Sequence, residues 1–80
     1  MHFETSDVVR VQALAVPSRI VDGPSADPPQ PRVGDRGTIV VALGDDLYLV
    51  EHSTDDGQSV WTAEFHASEL LLVERGEDVR

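Results

Sequence analysis

Cysteine and lysine are both missing from this 80-residue chain, and no long hydrophobic run occurs in it. Without cysteine there is no disulfide and no thiolate metal site to staple the fold. A core or an oligomer must therefore stabilise a domain whose length lets it bury only about 60–65% of its extended-chain surface. The missing cysteine also fits a reducing cytoplasm. No window approaches the roughly 18 uninterrupted apolar residues of a membrane span, and the opening MHFETSDVVR is acidic where a secretory signal would be basic. One soluble, cytoplasmic domain over residues 1–75 is expected, with a polar tail at 76–80.

Basic charge is the other scarcity. Fifteen Asp and Glu face six Arg, a net charge of -9. The imbalance is uneven: residues 1–40 hold five acids and four Arg (net -1), and residues 41–80 hold ten acids and two Arg (net -8). A nucleic-acid binder needs a basic stripe to displace counterions from phosphates, and this field repels a polyanion. A basic protein surface suits it as a partner, although net charge also serves solubility alone.

What is present is short, apolar and β-patterned. DVVRVQALA (Asp7 to Ala15) alternates and places Val9, Val11 and Ala13 on one side, as a strand would. Val16 to Gly37 contains all five prolines, which lack the ladder N–H and disfavour helix before them, so a long loop is expected there. Pro28 to Pro31 formally gives a P-x-x-P spacing that could present a polyproline ligand, but a turn-rich loop explains it more simply. In VGDRGT, Gly34 and Gly37 are expected to supply the turn that returns the chain to a strand. Strands are expected at Thr38 to Leu43, Leu47 to Ser53, Ser59 to Phe65 and Leu70 to Glu74, with hairpin turns at Gly44-Asp45-Asp46 and around Asp56-Gly57. HASE reads as a single helical turn before the last strand. The expected fold class is all-β: a small five-stranded SH3-like barrel with a long Pro-rich first loop and one short helical turn before the last strand.

DVVRVQAL, VGDRGTIV, LYLVE and FHASEL resemble, in that order, the blocks of a family of small bacterial SH3-like proteins of unknown function. That family has a GDxGTVV turn and strand, a hairpin, and a closing turn similar to L-P-A-x-Q-L. More distant is the resemblance to the barrel of the nitrile hydratase beta subunit and to the barrel subunits of photosystem I and ferredoxin-thioredoxin reductase. The likeness spans about residues 6 to 74 without the Pro-rich loop, and it rests on structural glycines and alternating Val and Leu. It implies an accessory or subunit role without catalysis. The chain departs from the family pattern at His66, where proline is frequent, at His52, where an apolar residue is common, and in its longer Pro-rich insertion.

TIVVALGDDLYLV (Thr38 to Val50) holds nine apolar side chains, too many for a hairpin that buries one face. A three-residue turn would pair Leu43 with Leu47, Ala42 with Tyr48, Val41 with Leu49 and Val40 with Val50. Val40, Ala42, Tyr48 and Val50 would then face inward, leaving Ile39, Val41, Leu43, Leu47 and Leu49 outside. The expected core is Val9, Val11, Val40, Val50, Ala63, Phe65 and Leu71, with Trp61 or Tyr48 near a rim. An outward aliphatic patch of this size calls for a protein partner, a second copy, or the Pro-rich loop folded back over it.

Catalytic chemistry finds no support. There is no G-x-S-x-G, no phosphate-binding Gly-rich loop before a helix, and no supported Ser-His-Asp set. His52, His66, Glu51, Glu64 and Glu69 are metal-ligand types that could approach one another, but a polar closing turn and a satisfied strand histidine explain them more simply. No catalytic, cofactor or metal residue is assigned. The candidate partner-binding residues are Ile39, Val41, Leu43, Leu47, Leu49 and Trp61, plus the hairpin acids Asp45, Asp46, Asp55 and Asp56; core packing is the competing use of Trp61. Two functions fit: a non-enzymatic interaction module or accessory subunit, or an acidic immunity or antitoxin-like protein that neutralises a basic toxin.

Overall fold

The computed structural model describes residues 3–76, which form one antiparallel sheet of six strands. The strands are β1 (Val8–Val11), β2 (Val21–Asp22), β3 (Arg36–Gly44), β4 (Leu47–Ser53), β5 (Ser59–His66) and β6 (Leu70–Glu74), with a 3-10 turn at Ala67–Glu69 between the last two. Their order in the sheet is β2-β5-β4-β3-β1-β6, so β2 and β6 are its edges. The all-β class and the single turn before the last strand agree with expectation. The strand count differs by one, because Val21 and Asp22, inside the Pro-rich stretch, pair with Ala63 and Thr62. The polar tail expected at 76–80 lies, apart from Gly76, outside the described residues. Among the described residues no helix is long and apolar enough to cross a membrane.

One cluster of buried side chains draws on every strand but β2: Val9 and Val11, Ile39, Tyr48 and Val50, Trp61, Ala63 and Phe65, and Leu70, with Ala67 of the turn and Phe3 ahead of β1. A single sheet can gather one face into one cluster only by curling strongly. Val9, Val11, Val50, Ala63 and Phe65 fill the core as expected. Val40 and Leu71 do not: they are exposed, and Ile39 and Leu70 take the interior places. Phe3 is an unanticipated core residue. Its ring meets Tyr48 edge-on at 5.3 Å, and its N–H donates to the Tyr48 hydroxyl at 3.2 Å, satisfying a buried phenol.

The Ile39 exchange has a definite cause. The β3–β4 turn uses two residues rather than three: Asp45 and Asp46 both adopt positive φ (51° and 63°), the signature of a type I′ turn, and Gly44 rather than Leu43 pairs with Leu47. Ala42↔Tyr48 and Val41↔Leu49 stand as expected, but Ile39 rather than Val40 faces Val50. The ladder is interrupted between Ile39 and Val41 and again between Ala42 and Gly44. Each interruption inserts one extra residue in β3, and such a bulge reverses the inside-outside parity beyond it and tightens strand twist.

Gly34 adopts the expected left-handed turn conformation (φ 99°). Gly37 serves differently: it sits within β3 opposite Val9, and a Cβ there would stand 2.6 Å from Val50 Cγ1 and 2.8 Å from the Glu51 carbonyl oxygen. Its missing side chain admits Val50 to the core. Gly37→Ala should therefore lower stability by about 1–3 kcal/mol through overpacking, read as a lower urea midpoint at unchanged slope, whereas Ser25→Ala in the exposed loop should leave the midpoint in place.

Candidate functional site

The long first loop is built, not slack. Arg19 and Gln30 exchange hydrogen bonds across its base: the Arg19 N–H donates to Gln30 Oε1 (2.9 Å) and Gln30 Nε2 donates to the Arg19 carbonyl (2.8 Å). Pro31 is buried and Pro28 half-buried, so the P-x-x-P segment is spent on the loop's own packing rather than displayed as a free polyproline ligand.

Arg19 then turns its guanidinium inward. It lies 4.2 Å from the Phe65 ring centroid, donates to the Glu64 carbonyl at 2.7 Å, and meets Glu69 with two bonds, Nη1 to Oε1 at 3.1 Å and Nη2 to Oε2 at 2.5 Å. Glu69 is 2% exposed, and its oxygens also accept the N–H groups of His66 (2.9 Å) and Ala15 (2.7 Å). Each carboxylate oxygen thus has two donors, the condition under which a charge is tolerated in a core. Burial by itself would raise the Glu69 pKa, but the Arg19 hydrogen bonds, the Ala15 and His66 amides and the Arg19 charge outweigh it and hold it at about 2. Asp7 follows the same logic at the opposite end. Its burial is offset by the amides of Gly76 and Glu4 and by Arg75, and its pKa is lowered.

With the loop clamped there, a groove of about 320 Å³ opens between it and the outer side of β4 and β5. Leu47 and Leu49 form its floor with Thr62, Glu64 and His66; Ala15, Val16, Arg19, Ile20 and Asp22 form the wall. The register explains the company: Leu49 pairs with Glu64 and Leu47 with His66. Val41 pairs with Leu49, so apolar surface continues past the groove to Val41, which is 40% exposed; Leu43, the unpaired residue of the second bulge, is 45% exposed. On the loop side Ile20 is 89% exposed.

Two of the expected partner-binding residues are thus misplaced. Ile39 is 1% exposed because of the β3 bulge, and Trp61 is equally buried, tilted against Phe65 at 5.6 Å and stacked on His52 at 5.2 Å. By register Val41, Leu47 and Leu49 lie on the side of the hairpin away from the core, and Leu43 is exposed beside the turn. The Pro-rich loop neither covers it nor leaves it bare, since it walls only the Leu47–Leu49 side. The acids divide: Asp45 and Asp46 form the β3–β4 turn, whereas Asp55 and Asp56 lie in the turn at the other end of β4. Seven residues of strand separate the two pairs, about 23 Å at 3.3 Å per residue. Asp56 accepts the Thr54 hydroxyl, which lowers its pKa.

Val16, Ile20, Asp22 and Arg19 escaped the sequence reading. Their one signal was IVD, a β-branched pair between Pro17 and Gly23 that suits a short edge strand. His52 Nδ1 lies 2.5 Å from the Arg36 carbonyl, and among the described residues no three His, Asp or Glu side chains gather in metal-binding geometry.

The lowered Glu69 pKa contributes stability above its ordinary value of 4.5 that is lost as pH falls toward 2, about 3 kcal/mol at most. Urea midpoints should decline between about pH 5 and pH 2. Glu69→Gln should lower stability at neutral pH by about 3 kcal/mol or more by leaving Arg19 buried without its counter-ion, and should flatten the acid limb. Comparison of the chain with protein-family models, curated proteins and solved structures returns no match.

Proposed function

We propose that this chain is a non-catalytic SH3-like interaction module or small accessory subunit, binding a protein partner through the outer face of the β3–β4 hairpin and the Pro-rich loop beside it. The SH3-like reading is supported by the meander β3-β4-β5, the single 3-10 turn after it and the return of β6 alongside β1. In that reading β2 is an arm of the long first loop, and five principal strands make a small barrel.

The observation that carries the function is the apolar surface itself. Val41, Leu43, Leu47 and Leu49 run into a groove whose far wall carries Val16 and Ile20, and large aliphatic side chains gathered on one face mark interaction sites more often than scattered ones do. Covering four or five half-exposed aliphatic side chains contributes several kcal/mol, at about 25 cal/mol per Å² of apolar area. That is of the order of the association cost of about 4–15 kcal/mol, so the surface suits a reversible complex.

Co-purification from the native host separates this reading from the neutraliser. The module is expected to retain a stoichiometric partner at physiological salt and to lose it in the Leu47→Asp, Leu49→Asp variant, with the circular dichroism spectrum unchanged. A partner kept by that variant but lost on Asp45→Lys, Asp46→Lys and dissociated by salt would replace the module with an acidic neutraliser.

A further inference from the structure

The groove has a charge pattern as well as an apolar floor. Asp22 stands on its wall and Glu64 on its floor, and among the described residues neither carboxylate has an ion pair or a side-chain hydrogen bond. The arginine nearest to them is already neutralised: Arg19 is committed to Glu69. Arg75 is committed to Asp7. Arg10 and Arg36 pair across β1 and β3; Arg36 borders Glu51 and Asp55 in a separate depression but makes no ion pair with them and does not line this groove. Following the register outward, Glu51 lies beside Thr62, whose other neighbour is Asp22. At the opposite end the Ala67 N–H donates to the Asp46 carbonyl at 2.8 Å, which brings the Asp45-Asp46 turn against the His66 and Leu47 end of the groove. Aliphatic floor is therefore flanked by carboxylates at both ends, from the Leu47 row to the Glu51 row, four residues or about 13 Å of strand.

Resting on the interaction-module reading above, we infer that this groove receives an extended basic-aliphatic segment of a partner protein: one or two aliphatic side chains against Leu47 and Leu49, with Arg or Lys near each end meeting Asp22, Glu64 and Glu51 on one side and Asp45-Asp46 on the other. Volume selects an extended segment, because a groove of about 320 Å³ takes a side chain or two but not the roughly 10 Å cylinder of a helix. Extended spacing puts the two basic residues about four positions apart, at 3.3 Å per residue. Charge selects a foreign partner over a second copy. A copy of this chain brings a net charge of -9 against carboxylates that already lack cations, and like charges brought together in an interface are costly.

The test is selection from a random dodecapeptide phage library on the immobilised full-length chain, followed by fluorescence polarisation with the enriched peptides and light scattering of the free protein. The expected result is enrichment of peptides with Arg or Lys about four residues apart around Leu, Ile or Val. Their affinity should fall about tenfold on Asp22→Asn, Glu64→Gln, both exposed positions that leave the fold intact, and again as rising salt shrinks the Debye length from about 30 Å to about 3 Å. Leu49→Asp should abolish binding. No enrichment, enriched peptides without positive charge, or a dimer in light scattering that Leu49→Asp dissolves would each overturn the inference. Peptides lost on Leu49→Asp yet indifferent to Asp22→Asn, Glu64→Gln would overturn the basic-segment chemistry while leaving the apolar module in place. Peptides indifferent to Leu49→Asp would overturn both.

Discussion

A buried carboxylate is tolerable only where donors surround it, and Glu69 meets that condition by drawing three separate stretches of chain to one point. Its two oxygens accept from the Arg19 guanidinium, the Ala15 amide and the His66 amide. One contact reaches back within the 3-10 turn, and the others fasten the two ends of the loop's descending arm. The Glu69 carbonyl adds a bond from the Gln12 N–H at 2.8 Å. Removing the charge would therefore not delete a single pair. It would leave a guanidinium buried over Phe65 and a loop without its anchor, and the loop is one wall of the groove.

The second constraint is one of parity. Beyond a two-residue type I′ turn, two bulges make β3 longer than β4 by Val40 and Leu43, the residues that do not pair. The ribbon can then be apolar on both sides without conflict, since Ile39, Tyr48 and Val50 enter the core while Val41, Leu43, Leu47 and Leu49 remain on the outer face. Extra twist at the bulges also helps a single sheet wrap its own core.

Charge follows from the same arrangement. All five described arginines lie on β1, β3 and their approaches or are tied to buried carboxylates, whereas the β4–β5 surface and its turns hold acids that have no ion pair among the described residues. Six of the ten acids in the second half of the chain, Asp45, Asp46, Glu51, Asp55, Asp56 and Glu64, thus lie on β4, β5 and their turns.

How much of this was legible beforehand depended on how local its cause is. The alternation of Val9 with Val11, the bounds of β4 and β6, the turn residues around Gly57 and the single turn at Ala67–Glu69 were all readable, because period-two burial and turn chemistry act within a few residues. The bulge at Val40 was not, since nothing in VVAL distinguishes a bulged residue from a paired one until the opposite strand and the core impose a register. That is why Ile39 was expected outside and Val40 inside. From sequence Trp61 stayed open between a binding surface and the core, and Phe3 was not singled out; the structure buries Trp61 against Phe65 and His52 and Phe3 against Tyr48. Residue pattern alone was enough to read an acidic, cysteine-free, all-β chain with a hairpin too apolar for one face. Which face stays outside, and the pairing of Arg19 with Glu69 across fifty residues, emerged only on folding, because register and buried charge pairs are settled by long-range packing that no local pattern encodes.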